Sequence, residues 1–218
     1  QTCALPICFP RIGPQREVKK ALEAYWGDKI SAEELLKVAK EQRLNTYATI
    51  KEQGVDFVPT GTFSLYDHVL DMSNTLGIIP EAYAKSGLSQ LDTYFAMARG
   101  HQKGGVDLPA TEMKKWFDSN YHYLVPEFSE KSEFKLNDNK PVDDFIEAKE
   151  AGYNARPVIL GPLTLLWLGK TSKDAQDPNF NRYSLLPKLA QTYVQLFEKL
   201  AAAGAPWVQL DEPILVVD

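Results

Sequence analysis

Apolar and polar positions follow one arrangement three times along the chain. An amphipathic stripe with helical spacing is followed by a glycine, a short apolar run and a proline. These units cover residues 31–59, 141–162 and 184–213. Helical spacing predicts a helix, and a short apolar run with few polar interruptions predicts a buried strand. The pattern therefore predicts an α/β protein in which helices connect the strands of a parallel sheet.

The first unit carries the clearest local signals. Ser31 followed three residues later by Glu34 is a capping box, which predicts a helix start. Gly54 suits the position just after a helix end, where a left-handed backbone is common. Strands are predicted at residues 55–59, 157–162 and 207–213.

The excursion between the first two units, residues 60–140, is rich in aromatic residues. Helices are predicted in it at residues 65–76, 88–99 and 112–120, before a polar stretch at 129–140. A long insertion of this kind fits an α/β fold whose strand-to-helix loops are elaborated for function.

The predicted fold class is α/β, as an incomplete (β/α)8 TIM-type barrel. A strand near residues 9–13, the three above and one more around the insertion are fewer than eight. The apolar run at 214–217 closes no further unit. The alternative is a doubly wound open sheet, which is disfavoured because no glycine-rich nucleotide fingerprint follows any strand.

Composition narrows the class of protein. With 218 residues, 44% hydrophobic content and a net charge of −5, the chain is expected to be globular and not to bind nucleic acid. Two cysteines, Cys3 and Cys8, support neither a disulfide framework nor a zinc site. The sequence shows no secretion signal and no membrane span, so a cytoplasmic protein is expected. Residues 1–7, which lack an initiating Met, are interpreted as an artefact or a disordered segment, and residues 8–218 as a partial barrel.

Four cations crowd one predicted turn and the helix after it: Arg11, Arg16, Lys19 and Lys20. Free backbone N–H groups at a helix start already favour anions, and Arg16 and Lys19 share a helix face. A polycarboxylate or phosphate ligand would suit this cluster. The alternative is a solvated basic helix face.

Two further stretches are candidates for chemistry. Residues 111–128 place five aromatics beside His122, Lys114 and Lys115, as a ligand wall or as ordinary packing. His122 is expected to be a hydrogen-bonded structural residue. Asp211 and Glu212 end a predicted strand, where acid/base groups or metal ligands are placed in barrels, although only one of them can face the interior. Residues 161–170 end another strand and offer backbone donors, or form a packed turn.

The same stretches resemble a known family over essentially everything after residue 8. In order, they match motifs of the amino-terminal barrel of cobalamin-independent methionine synthase. The matching segments are residues 9–13 with 16–19, 66–68, 115–117 with 120–127, 160–162 with 167–170, and 207–213. Cys8 stands where that family usually has glycine, and Val18 where it commonly has leucine.

The resemblance implies methyl transfer from 5-methyltetrahydropteroyltri-L-glutamate to L-homocysteine, without cobalamin. It implies that Arg16, Glu17, Val18, Lys19 and Lys115 bind the folate substrate. It also implies that the zinc and its ligands lie in a carboxy-terminal barrel of the same polypeptide. This chain would then hold no catalytic or metal-binding residue and would be inactive alone.

Two alternatives remain open from the residues. The first is a non-catalytic binding or scaffold protein derived from the barrel. The second is a barrel glycoside hydrolase that uses Glu212, which would need a second carboxylate at another strand end.

Overall fold

The computed structural model describes residues 11–217, which contain eight α-helices and nine short strands. The helices are α1 (Glu17–Trp26), α2 (Ala32–Glu52), α3 (His68–Thr75), α4 (Glu81–Ala84), α5 (Gln90–Arg99), α6 (Lys140–Glu150), α7 (Pro162–Leu168) and α8 (Leu186–Ala202). The strands are β1 (Val58–Thr60), β2 (His101–Lys103), β3 (Val106–Leu108), β4 (Met113–Lys115), β5 (His122–Leu124), β6 (Glu127–Phe128), β7 (Ala155–Leu160), β8 (Lys170–Thr171) and β9 (Gln209–Asp211). Residues Arg182–Leu185 and Pro213–Val216 form 3-10 helices.

A parallel sheet in the order β1-β7-β9 lies at the centre. Val58 of β1 is opposite Ala155 of β7, and Val158 of β7 is opposite Gln209 of β9. The long excursion and α6 connect the first pair of strands, and α7 and α8 connect the second. The predicted α/β class with helical crossovers is therefore confirmed. The described strands form no closed barrel, so the (β/α)8 barrel stays a prediction.

Several helices lie where the local sequence signals predict them. Ser31 and Glu34 form both hydrogen bonds of the capping box at the start of α2. Gly54 follows the end of that helix with a φ of 80°. The helices predicted at 65–76 and 88–99 are present as α3 and α5.

The helix predicted at residues 112–120 is wrong. These residues form β4 and a turn, and β4 pairs with β5 as an antiparallel hairpin in which Lys115 is opposite His122. Phe117 takes a left-handed φ of 48°, which a continuing helix does not allow. The amide of Trp116 donates to the carbonyl of Tyr121 at 2.7 Å, which closes the hairpin.

Two of the three predicted strands are longer than the observed β1 and β9, and the one predicted at 157–162 lies two residues earlier, as β7. The first begins at Val58, and Val55 and Phe57 before it are 41% and 38% exposed. Strand β7 pairs with β1 from Ala155 onward, so the residues before Val58 have no partner in this pair. The strand predicted near residues 9–13 is absent over residues 11–13, and its beginning and residues 1–7 lie outside the described residues.

Two hydrophobic clusters make up the core. One lies under the sheet and includes Val58, Phe128, Ile159, Leu165 and Leu196. The other lies between α1, α2 and α5 and includes Val18, Leu35 and Phe95. Within the described residues, no helix has both the length and the apolar content that a membrane crossing requires.

A buried ion pair joins α2 to α6. The Arg43 guanidinium donates to both carboxylate oxygens of Glu147, at 2.7 and 2.8 Å, and lies 3.6 Å from Asp144. Burial by itself would lower the pKa of Arg43, but Glu147 and Asp144 raise it above its usual value. The pair therefore stays charged inside the protein.

We expect Arg43→Ala to lower the free energy of unfolding by about 3 kcal/mol, because it leaves the largely buried Glu147 carboxylate without its counter-ion, whereas Asp144 keeps its ion pair with Lys140. Urea unfolding followed by circular dichroism measures the change. The matched control is Lys40→Ala on the same helix, whose exposed side chain should cost less than about 0.5 kcal/mol. Equal losses for the two variants would contradict the assignment.

Candidate functional site

A cavity of about 330 Å³ lies at the carboxyl ends of β1, β7 and β9. This edge of a parallel sheet is where α/β proteins bind their ligands. We call it the strand-end cavity. Its lining consists of Arg11, Gly61, Thr62, His68, Asp71, Met72, Thr75, Trp116, Tyr121, Lys140, Pro141, Val158, Ile159, Leu160, Leu210, Asp211, Glu212 and Pro213.

Asp67 fixes the polar wall of the strand-end cavity. Its side chain is 1% exposed and caps α3 by accepting a hydrogen bond from the amide of Leu70 at 2.9 Å. The same oxygen accepts from the amide of Leu124 in β5 at 3.1 Å. The other oxygen accepts from the Tyr121 hydroxyl at 2.7 Å. One carboxylate thus attaches α3 to the β4–β5 hairpin.

The Tyr121 hydroxyl has two further neighbours. Arg11 Nη2 donates to it at 3.3 Å, and His68 Nδ1 lies 3.2 Å away. The single hydroxyl proton goes to Asp67, so His68 Nδ1 must carry a proton and donate to the oxygen. His68 Nε2 is then an acceptor. It is buried and has no hydrogen-bond partner among the described residues.

His68 is uncharged at neutral pH. Burial, with the positive charge of Arg11 as a smaller cause, lowers its pKa to about 4. The nearby carboxylate of Asp71 opposes this shift without cancelling it.

Asp71 lies one helical turn beyond Asp67, on the same wall. Its Oδ1 accepts from the Tyr94 hydroxyl at 2.6 Å, and its Oδ2 is 3.6 Å from Lys140 Nζ without a hydrogen bond. Lys140 Nζ donates instead to Asp144 at 2.7 Å and to the carbonyl of Phe63 at 2.8 Å. Burial raises the pKa of Asp71, and Lys140 acts against it.

Some aromatic side chains of residues 111–128 line the strand-end cavity, and others pack against neighbouring side chains. Trp116 and Tyr121 line the cavity, and the Trp116 ring meets His68 edge to face at 4.5 Å. Phe117 stacks on Trp167 at 5.2 Å, and Phe128 is fully buried in the core. His122 is exposed on the hairpin, with its Nδ1 3.0 Å from the carbonyl of Asn120.

The residues predicted to bind folate lie outside the lining of the cavity. Arg16 is exposed at the start of α1, with a left-handed φ of 63°. Lys19 is 44% exposed and 3.6 Å from Glu23. Lys115 is exposed in β4. The segment before α1 and the β4–β5 hairpin meet where Arg11 contacts Tyr121.

The other two residues predicted to bind folate, Glu17 and Val18, contact the backbone before α1 and the hydrophobic core. Glu17 Oε2 accepts from the amide of Gln15 at 3.0 Å, so this carboxylate holds the turn before α1. Val18 is 3% exposed and packs in the second hydrophobic cluster.

Glu212 caps a helix. Its two carboxylate oxygens accept from the amides of Leu163 at 2.9 Å and Thr164 at 2.7 Å, in the first turn of α7. A Cβ at Gly161 would lie only 2.1 Å from Glu212 Cδ, so this approach requires glycine. Both oxygens are occupied by backbone donors, which disfavours the glycoside hydrolase alternative. The neighbouring Asp211 accepts from Gln209 at 2.7 Å.

Sequence reasoning did not single out Tyr121, Asp71 or Lys140 as site residues. A partial signal was present, because Asp67, His68 and Asp71 have the spacing of one helix face. The described residues contain no group of three or more His, Cys, Asp or Glu side chains placed to hold a metal ion.

Comparison with known proteins gives a consistent result. A family model described as "Cobalamin-independent synthase, N-terminal domain" matches residues 4–218. The chain is 54% identical over 216 residues to a probable 5-methyltetrahydropteroyltriglutamate–homocysteine methyltransferase of Schizosaccharomyces pombe. It is 52% identical over 216 residues to the methyltransferase of that name from Saccharomyces cerevisiae. Each alignment covers 96% of this chain and 28% of the relative, so the chain spans less than a third of their length.

Acidification should destabilise the protein through His68. The unfolded histidine, with a pKa near 6.5, binds a proton more readily than the folded one, with a pKa of about 4. Stability from this group is therefore present above pH 6.5 and is lost as the pH falls toward 4. Between pH 7 and pH 5 we expect a loss of about 2 kcal/mol, measured by urea unfolding. His68→Gln should lack this part of the pH dependence and His122→Gln should keep it; an unchanged slope in His68→Gln would refute the assignment.

Gly161→Ala should destabilise the protein by roughly 2 kcal/mol, because the new methyl group displaces the Glu212 carboxylate from two backbone donors. The control is the same substitution in a Glu212→Ala background, where the carboxylate is already absent. Thermal and urea unfolding of the four proteins give the coupling between the two positions. A penalty that persists undiminished in the Glu212→Ala background would show that the close approach is not its cause.

Proposed function

The chain belongs to the cobalamin-independent synthase family, as its N-terminal domain, and we propose that it serves methyl transfer from 5-methyltetrahydropteroyltri-L-glutamate to L-homocysteine. The printed names of the relatives give both substrates. Those relatives are more than three times as long as the aligned segment, so the complete reaction needs polypeptide beyond it. The role proposed for this chain is to bind the polyglutamate tail of the folate.

The observation that carries this role is the exposed cationic side chains at the start of α1 and on β4. Arg16 holds a left-handed backbone, which costs a non-glycine residue about 1–2 kcal/mol, at the helix end where backbone N–H groups attract anions. Lys19 follows on the same helix. Lys115 extends from a separate hairpin. A triglutamate tail is a polyanion, and exposed guanidinium and ammonium groups suit its carboxylates.

Glu17 and Val18 would support this surface structurally, without an electrostatic attraction to the anion. Glu17 holds the turn that places Arg16, through its hydrogen bond to Gln15. Val18 anchors α1 in the core. Either role would explain why the family motif includes residues that cannot attract a carboxylate.

We further propose that the parallel sheet is part of a (β/α)8 barrel that the polypeptide of the longer relatives completes. Its helical crossovers and its cavity at the carboxyl ends of the strands support this. Leu210 in β9 is 41% exposed, as expected for a strand that receives a further neighbour.

Zinc, which the resemblance implies, does not fit the described residues of this chain, and no step is assigned to it here. We place the metal, the homocysteine and the methyl transfer in the carboxy-terminal barrel. The chain alone would then be inactive, and the complete enzyme would be cytoplasmic and would need no cobalamin.

Substitutions on this surface should distinguish folates by tail length. We expect Arg16→Gly, Lys19→Ala and Lys115→Ala each to weaken binding of the triglutamate folate about three- to tenfold, the range for exposed charged contacts. Binding of the monoglutamate should change less than about twofold. Glycine at position 16 accepts the left-handed backbone, so the first substitution removes the charge without straining the turn. Calorimetric titration of the 218-residue chain measures both affinities.

The chain offers two matched controls. Lys20→Ala removes an exposed charge next to Lys19, and Lys114→Ala removes one next to Lys115 on the opposite side of β4. Both should leave the ratio of the two affinities unchanged. Equal losses for the two folates in the test variants, or no binding of the triglutamate, would overturn the tail-binding proposal.

A further inference from the structure

Two buried acceptors on one face of α3 have no hydrogen-bond partner among the described residues. They are His68 Nε2 and Asp71 Oδ2, and both residues line the strand-end cavity. They are three positions apart in the chain, so their side chains are neighbours on the helix surface. A buried acceptor without a hydrogen bond destabilises the protein. A ligand that brings N–H donors to this wall would therefore be favoured.

The acceptors of this wall suit an ammonium donor. Asp71 Oδ2 is at ion-pair distance from Lys140, 3.6 Å, but accepts no hydrogen bond from it, because that lysine donates to Asp144 and to the carbonyl of Phe63. His68 presents a lone pair beside it. An ammonium group carries three donors and one positive charge, and it can satisfy both acceptors at once.

Arg11 supplies a positive charge beside Tyr121. Its guanidinium and the His68 ring both contact the Tyr121 hydroxyl, so the two groups meet at one oxygen atom. In the described part of the chain, Tyr121 is the one hydrogen-bond acceptor of Arg11, which leaves other N–H groups of the guanidinium available. A carboxylate can therefore bind Arg11 close to where an ammonium binds His68 and Asp71.

The rest of the lining is mixed. The apolar residues Val158, Leu160, Leu210 and Pro213, which we call the apolar floor, lie beside the polar residues Thr62, Thr75, Lys140, Asp211 and Glu212. The volume of about 330 Å³ accommodates a molecule with several non-hydrogen atoms beyond its charged groups.

We infer that the strand-end cavity binds a free α-amino acid with an apolar side chain. Its ammonium group donates to His68 Nε2 and Asp71 Oδ2, its carboxylate accepts from Arg11, and its side chain lies on the apolar floor. Arg16, Lys19 and Lys115 do not line this cavity, so the inference stands independently of the folate-tail proposal.

Three probes that share one reporter group test this inference. L-Methionine carries both charges, 3-(methylthio)propylamine lacks the carboxylate, and 4-(methylthio)butanoate lacks the amine. The S-methyl proton signal of each reports binding to the 218-residue chain by saturation-transfer NMR. We expect L-methionine to bind at least tenfold more tightly than either analogue. Absence of binding at 10 mM L-methionine, or equal affinities for all three probes, would overturn the inference.

Substitutions assign each charge to its partner. Arg11→Gln should weaken L-methionine and 4-(methylthio)butanoate at least fivefold and leave the amine probe within twofold. Asp71→Asn should weaken L-methionine and the amine probe and leave 4-(methylthio)butanoate within twofold. Lys114→Gln, a charge change outside the cavity, should alter none of them.

Folding of each variant is checked by its urea unfolding midpoint. Arg11 makes one hydrogen bond to the described residues, so Arg11→Gln tests the inference even if Asp71→Asn does not fold. A uniform loss for all three probes in Arg11→Gln would mean that Arg11 does not bind the carboxylate, and would refute the inference.

Discussion

The buried carboxylate of Asp67 is the interaction on which the arrangement of the site depends. It caps α3, and it accepts hydrogen bonds from the amide of Leu124 in β5 and from the Tyr121 hydroxyl. Because that proton is committed to Asp67, Tyr121 can only accept from Arg11 and His68. The direction of one hydrogen bond thus sets the tautomer of a histidine and the place of a guanidinium. Three segments distant in sequence meet at this point.

The polar wall of the cavity continues into a network of ion pairs that joins α3, α6 and α2. Asp71 contacts Lys140, Lys140 contacts Asp144, and Asp144 lies beside Arg43, which binds Glu147. Buried charges are costly, and here each has an opposite charge within 4 Å. The network fixes α3, α2 and α6 relative to one another.

Two kinds of charge therefore occur in separate places. Arg16, Lys19 and Lys115 are exposed and lie outside the strand-end cavity, whereas the lining of the cavity combines the cations Arg11 and Lys140 with acceptors and an apolar floor. The cations around the first helix were visible in the sequence, because four of them crowd one short stretch of an acidic chain, whereas Lys115 was indicated only by the resemblance. The combination of groups in the cavity was not visible, because Arg11, His68, Asp71 and Tyr121 are spread over more than a hundred residues.

Helices and the central strands followed from local chemistry. The capping box at Ser31, the glycine at 54 and the apolar runs act within a few residues, so the sequence alone predicted α2, the parallel strands and the α/β class. The β4–β5 hairpin was mistaken for a helix because the left-handed Phe117 and the pairing across the turn decide it. Likewise, the carboxylate pair at 211–212 suggested acid/base chemistry until the structure placed Glu212 against the amides of α7. Hydrogen bonds between distant residues decide these roles, and their partners are set by the fold, not by spacing along the chain.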